Sequence, residues 1–293
     1  MNDIVKYDNY MNSLRFSGFT TFDYNFLMAL CNKLMDKDTT EITISFEELR
    51  EKTGYTQHPV KQFVSDIVRM NDKLMKMNCV LEKDGTIFQF VLFPTFATDM
   101  VNRRLIVSVN EKFKFILNDL TRNFTRFELN EFVRLGSRYS KSLYRILKQF
   151  KSTGRYDVSM DSFRNRMDCP VSYTNKHVMD KIIKPSLKEL REKNYFQNLR
   201  CETKYANKPG RPVLGYTFTF LPEKACDTDN PDAETQVENA GNRQPADWYK
   251  SFHQRTYDYD SLEKELLGKP DPDEPEAGIF ELLQELKRMH KST

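Results

Sequence analysis

Five cations, Arg134, Arg138, Lys141, Arg145 and Lys148, recur at steps of three and four. Interleaved with them, Tyr139, Leu143, Ile146, Leu147 and Phe150 form an apolar stripe of the same period. At about 100° per residue the stripes fall on opposite sides of one helix, which gives it an apolar face and a basic back. Cations so spaced suit the neutralisation of a polyanion. A solvated cationic face has the same pattern with no partner at all, so other segments must decide.

Two further segments bear on that choice. His177, Lys181, Lys184, Lys188 and Arg191 step by four, three, four and three, opposite Val178, Met179, Ile182, Ile183, Leu187 and Leu190. Pro185 lies inside this run, so the helix is expected to kink or restart there. Downstream, Lys204, Lys208 and Arg211 surround a turn at Pro209-Gly210. Charge is partitioned accordingly, behind a net value of only +3. Residues 122–221 hold 21 Lys and Arg against nine Asp and Glu, about +12, whereas 1–121 hold 15 against 16 and 222–293 nine against 17. A charge of that size in about a hundred residues points to a nucleic-acid partner.

Other chemistries find little support. The four histidines, His58, His177, His253 and His290, are dispersed and give no metal cluster. Gly268-Lys269 is followed by Pro270, so there is no phosphate-cradling Walker loop. Asp157, Asp161 and Asp168 fit caps and turns better than a metal site. The five cysteines, Cys31, Cys79, Cys169, Cys201 and Cys226, lack metal spacing, and their odd number argues against a disulfide framework. No catalytic residue, metal or cofactor is expected. With no signal peptide and no apolar run of about 18 residues, the expectation is a cytoplasmic protein without membrane contact.

The elements that would position the cations read as a repeated order. Thr20 caps a helix carrying Phe22, Phe26, Ala29, Leu30 and Leu34. The strand "TEITISF" follows, then "FEELREKTG", with Ser45 and Glu48 as a capping box and Gly54 as the stop. A second helix carries Val60, Phe63, Val64, Ile67, Val68, Leu74 and Met75, and leads to "CVLEKDGTIFQFVLF", a hairpin turning at Asp84-Gly85. That hairpin is apolar enough to need cover, for instance from a second subunit. "RRLIVSV" and "EKFKFIL" close this half as a strand and a short helix. In the second half, 125–135 and 137–151 read as helices, "GRYDVS" as a turn and strand, and "MDSFRNRMD" as a helix capped by Ser159. The helix after Thr174 and the hairpin "LRCETKYANKPGRPVLGYTFTF" complete it, with Leu214, Tyr216, Phe218 and Phe220 alternating on the last strand.

The fold class is therefore α+β: two tandem winged-helix domains, 1–121 and 122–221, then an acidic, largely disordered tail, 222–293. The tail ends in an amphipathic helix over 279–289 that either docks a partner or folds back. In the second winged helix, the helix after Thr174 has the shape of a major-groove reader. Tyr173, Thr174, Asn175, Lys176 and His177 open it, where base edges are met; Asn pairs bidentately with adenine and Lys donates to guanine. Lys181, Lys184, Lys188 and Arg191 lie further along, towards phosphate or solvent. Lys204, Lys208 and Arg211 form a basic wing. Arg138, Lys141, Arg145 and Lys148 would make a third contact line, with Arg164 and Arg166 adding charge on the preceding motif helix.

"SRYSKSLYRILKQF", in Ser137, Tyr139, Ser140, Leu143, Tyr144, Leu147 and Lys148, resembles the signature of the plasmid replication initiators that start theta replication at directly repeated origin sites. "VMDKIIKPSLKELREK", with Pro185, and "KPGRPVLGYTFTF", in Gly210 and Arg211, resemble the same family, over about residues 1–221. The resemblance implies a first winged helix for dimerisation and auxiliary contact with DNA backbone, and a second that reads most of each origin repeat, or iteron. It places Tyr139, Ser140 and Lys141 in the signature helix, Lys181 and Lys184 in the recognition helix and Arg211 at the wing. It further implies binding of double-stranded origin DNA by monomers, melting of an adjacent A·T-rich region, recruitment of a host initiator or helicase, and promoter repression by dimers as a form of copy control. The competing reading is a winged-helix transcriptional repressor without a replication role.

Overall fold

The computed structural model describes residues 3–35, 37, 41–56, 58–83, 86–110, 116–117, 120, 123–207 and 209–223. Lys208, the Asp84-Gly85 turn, most of "EKFKFIL" and the tail beyond 223, including the apolar face at 279–289, lie outside the described residues.

The first winged helix runs α1 (Thr21–Leu34), β2 (Glu41–Ser45), α2 (Phe46–Thr53), α3 (Val60–Met75), β3 (Asn78–Lys83), β4 (Thr86–Val91), β5 (Thr95–Asp99) and β6 (Arg104–Ser108). The Thr20 hydroxyl and the Asp23 carboxylate cap α1 reciprocally, while Ser45 caps α2 and Gly54 ends it in the left-handed region at φ 68°. Its sheet is ordered β2–β6–β5, all antiparallel. The pair β3–β4 is a separate two-stranded ribbon. Thus the strand that closes this winged helix is "RRLIVSV", whose buried Leu105 and Val107 face the core, and β5–β6 takes the place of the wing.

The second winged helix repeats that topology. It consists of α5 (Arg138–Gln149), β8 (Arg155–Ser159), α6 (Met160–Arg166), α7 (Asn175–Val178), a π-helical turn (Met179–Ile183), α8 (Lys184–Glu192), β9 (Arg200–Tyr205) and β10 (Val213–Thr219), with sheet order β8–β10–β9. The run 175–192 stays helical but restarts as expected: after the π-helical turn a new α-helix begins at Lys184 with Pro185 in its first turn. Pro has no N–H for Lys181, and the helix widens just upstream, where Lys184 N–H bonds back five residues to Met179 O. A bulge between Val213 and Gly215 breaks the expected alternation, so Leu214 is exposed while Tyr216, Phe218 and Phe220 are buried. Gly215 is required there: a Cβ would come within 2.0 Å of Val158 O.

One segment differs outright from the sequence expectation. Phe124–Glu128 forms a strand, β7, rather than a helix, and only Leu129–Val133 (α4) is helical. Thr125 and Phe127 alternate inward at period two, and β7 pairs antiparallel with a strand from the start of the chain, β1 (Ile4–Asp8). This ribbon ties the N-terminus to the second half, and one buried cluster continues from Val5 to Phe220. Phe127, Phe132, Tyr144 and Phe196 link it through ring contacts of 5.3 to 6.0 Å.

Candidate nucleic-acid interface

The basic back of α5 faces the protein interior. Arg145 is fully buried; its Nη1 donates to Met11 O at 2.8 Å and Asn12 Oδ1 at 3.2 Å, and Nη2 donates to Leu14 O at 3.4 Å. Its guanidinium lies 4.4 Å from the Phe16 ring centroid. Lys141 is also fully buried, and its ammonium donates to Phe132 O at 2.5 Å and Val133 O at 3.2 Å, capping the last carbonyls of α4. Burial pushes the Lys141 amine down to about 7, with the Lys193 charge adding to it and Glu189 opposing. Arg138 donates to Tyr139 Oη at 2.8 Å and to Asp168 Oδ2 at 3.4 Å. Lys148, only 11 % exposed, pairs with Glu223 at 2.8 Å.

The expectation of a third cationic contact line is therefore corrected. Lys141 and Arg145 cannot meet a phosphate without leaving buried partners, and Arg138 and Lys148 are held by carboxylates. Ser140 is buried as well, and Tyr139 is half-buried. The segment that encloses this face, residues 13–19, gave no sequence signal. It is anchored on Asp168, in the turn after α6, which accepts from Arg15 Nε at 2.9 Å and Gly18 N at 3.0 Å. Burial alone would raise the Asp168 carboxyl, but the Gly18 amide and the Arg15 and Arg138 guanidiniums together hold it below the usual carboxylate range.

The helix 175–192 is arranged the other way round. Val178, Ile182, Ile183, Leu187 and Leu190 are buried, whereas Asn175, Lys176, His177, Lys181, Lys184, Lys188 and Arg191 are exposed. Thr174 caps it: its Oγ1 accepts from His177 N at 3.3 Å, and its own N–H donates to His177 Nδ1 at 3.4 Å. Tyr173 stands 5.6 Å from the His177 ring, and the Lys181 ammonium lies 5.1 Å from the Tyr173 ring centroid. Arg164, on α6, reaches across to Asn175 Oδ1 at 2.9 Å. Lys184 pairs with Asp180 at 2.7 Å, an exposed pair whose partner a phosphate can readily replace. Val171, in the turn before the helix, is 98 % exposed.

The wing adds less free charge than its sequence suggests. Lys204 bonds Asp157, whose carboxyl is held far below its usual range by hydrogen bonds from Arg155, Lys204 and Thr217. Arg211, exposed and at φ 41°, places its guanidinium 5.2 Å from the Tyr205 ring centroid. The structure thus leaves Asn175 to His177, Lys181 and Lys184 exposed on this helix, with Arg164 beside Asn175 and Tyr173 beside His177 and Lys181, and leaves Arg211 exposed on the wing. It does not bring Lys141 or Arg145 there. Arg164–Asn175, 11 residues apart across the turn, and Lys204–Asp157, 47 apart, join different elements and are invisible to periodicity. Among the described residues no helix is long and apolar enough to cross a membrane.

Two family descriptions match this chain: "Initiator Replication protein, WH1" over residues 4–148 and "Initiator Rep protein, WH2" over 159–220. A probable replication protein of Bifidobacterium longum (strain NCC 2705) is 38% identical over 225 residues, covering 76% of this chain and 74% of that protein. Among solved structures, a Pi initiator protein in complex with iteron DNA superposes with a TM-score of 0.57 at 13% identity, covering 76% of this chain and 99% of that one. That likeness is one of fold.

Proposed function

This chain belongs to the initiator replication protein family, and from that premise we propose that it starts plasmid replication by binding double-stranded DNA at repeated origin sites. In this reading residues 122–221 are the main DNA-binding domain, residues 1–121 supply dimerisation and auxiliary backbone contact, and 222–293 form a tail. The helix 175–192 lies in the major groove, with Tyr173 to His177 towards base edges and Lys181 and Lys184 towards phosphates. The wing, with Lys204, Lys208 and Arg211, follows the adjacent backbone. Bound copies promote melting of a neighbouring A·T-rich stretch and recruit host replication factors; dimers repress the promoter.

One observation carries the reading: on this helix the apolar residues close the core while its cations remain exposed. With Lys181, Lys184, Lys188, Lys204, Lys208 and Arg211 as about six phosphate neighbours, log affinity should fall against log salt with a slope near −5. Footprinting of the full-length protein on DNA flanking its coding region tests this. Protection of several direct repeats about two helical turns apart supports an initiator. A single protected palindrome supports a repressor instead, and no protection at low salt removes the DNA-binding reading.

A further inference from the structure

Asn175 and His177 start the reading helix with their hydrogen-bonding faces already committed. Arg164 Nη2 donates to the Asn175 side chain at 2.9 Å. A guanidinium carries only donors, so the amide atom facing it has to be the oxygen, and the amide nitrogen is left for a ligand. Thr174 N–H donates to His177 Nδ1. A ring nitrogen that accepts carries no proton, so the neutral imidazole keeps its hydrogen on Nε2. Between them Lys176 is exposed and offers an ammonium, again donors only. Three consecutive side chains thus present N–H groups, while their oxygen and ring-nitrogen acceptors are engaged within the protein.

Base edges differ in what they ask of such a surface. Adenine offers N7 but also the N6 amino group, and a bidentate Asn needs its oxygen free to accept from that amino group. Arg164 already holds one of the two lone pairs of the Asn175 oxygen, so an adenine amino group would have to share that oxygen with a guanidinium. Guanine offers two adjacent acceptors, O6 and N7, which match paired donors.

We propose that Asn175, Lys176 and His177 form a donor-only reading edge that selects guanine, with Arg164 and Thr174 as the positioning residues that fix it. The proposal rests on the assignment of this helix as the DNA reader and adds the base class it reads. It replaces the adenine pairing expected of Asn175. Arg164 acts through Asn175 rather than on a phosphate.

The full-length protein is presented with a duplex library randomised over about two helical turns, and the bound fraction is sequenced. Guanines are expected at the positions under the first helical turn. Replacing each by 7-deazaguanine, which lacks the N7 acceptor, should weaken binding by about tenfold. Arg164→Met should admit adenine at one of these positions and leave the salt slope unchanged. His177→Gln, which can cap the helix through its oxygen and still offer an N–H, should keep the guanine preference, whereas His177→Leu should lose it. Sensitivity to 7-deazaadenine with indifference to 7-deazaguanine would overturn the proposal. Equal weakening of all sequences by Arg164→Met, with a flatter salt slope, would overturn the positioning role. Folded protein that selects no sequence at all would overturn the DNA-reading assignment itself, and this inference with it.

Discussion

On α5 and on the helix 175–192, cations recur at the same steps of three and four and face an equally regular apolar stripe. On α5 the guanidinium of Arg145 and the ammonium of Lys141 are buried among backbone carbonyls of the N-terminal arm and of α4. On 175–192 the cations look outward from an apolar face that closes the core of the second winged helix. The difference lies in what covers each helix. The N-terminal arm around residues 11–16 and the end of α4 lie against α5 and supply the carbonyls of Met11, Leu14, Phe132 and Val133, which need donors when buried. Among the described residues nothing covers the outer side of 175–192 in this way. A cation stripe therefore reports a need for negative or carbonyl oxygen, and only tertiary structure says whether the protein or a partner supplies it.

The most severe way to break this comparison is to remove Arg145. Arg145→Ala leaves Met11 O and Leu14 O without its donors, leaves Asn12 Oδ1 with the Tyr7 hydroxyl alone, and opens a cavity beside Phe16. A loss of about 3–5 kcal/mol is expected, read from the urea midpoint. Arg145→Lys should recover little of it, because one ammonium cannot reach three acceptors in fixed directions. Where the variant remains folded, its DNA affinity should be unchanged. A tenfold drop in affinity with unaltered stability would return α5 to the interface.

What the sequence made legible follows from the same distinction. Thr20, Ser45 and Ser159 were readable as caps and Gly54 as a stop because these are local devices. The helix–strand–helix–helix order and the second wing were readable from period and turn chemistry. The β1–β7 ribbon was not, because "IVKYD" and "FTRFE" are short, and their pairing spans more than a hundred residues. Choosing β5–β6 over β3–β4 as the first wing was equally beyond reach, since "NG"- and "DG"-type turn signals announce a hairpin without saying which sheet it joins. At the site, the exposed face of 175–192 was legible as an amphipathic pattern, whereas the engagement of Asn175 by Arg164 and of Lys204 by Asp157 depends on tertiary neighbours.

The converse substitution addresses the outward stripe. Lys181→Ala combined with Lys184→Ala removes two exposed ammoniums, one of them from a weak surface pair with Asp180. Thermal or urea stability should change by less than about 0.5 kcal/mol. Affinity for origin DNA at moderate salt should fall by about tenfold or more, and the slope against log salt should become shallower by about two. An unchanged slope would mean that these side chains do not neutralise phosphate. The contrast with Arg145 would then be between a buried cation stripe and a merely solvated one, with no interface.

The most gradual effect, spread over a pH range, uses the inward stripe as a titration. The Lys141 amine stands at about 7 in the folded chain and near 10.4 when unfolded. Between those values the folded state binds fewer protons than the unfolded state, so stability rises with pH; below about 7 the cost of burying the ammonium is fully present. The upper end of the usable window is set by thiols. Cys31, Cys79 and Cys201 are pushed up to about 12, and Cys169 to about 11, by burial. Above about pH 8.5 these thiols ionise in the unfolded chain and stability falls again. Between pH 7 and 8.5 wild type should therefore gain about 2 kcal/mol relative to Lys141→Met. The difference is measured from urea midpoints at matched ionic strength, so that cysteines common to both proteins cancel. A difference independent of pH would mean that Lys141 keeps its ordinary proton affinity and reaches water or an anion, which would place it with the outward cations of 175–192.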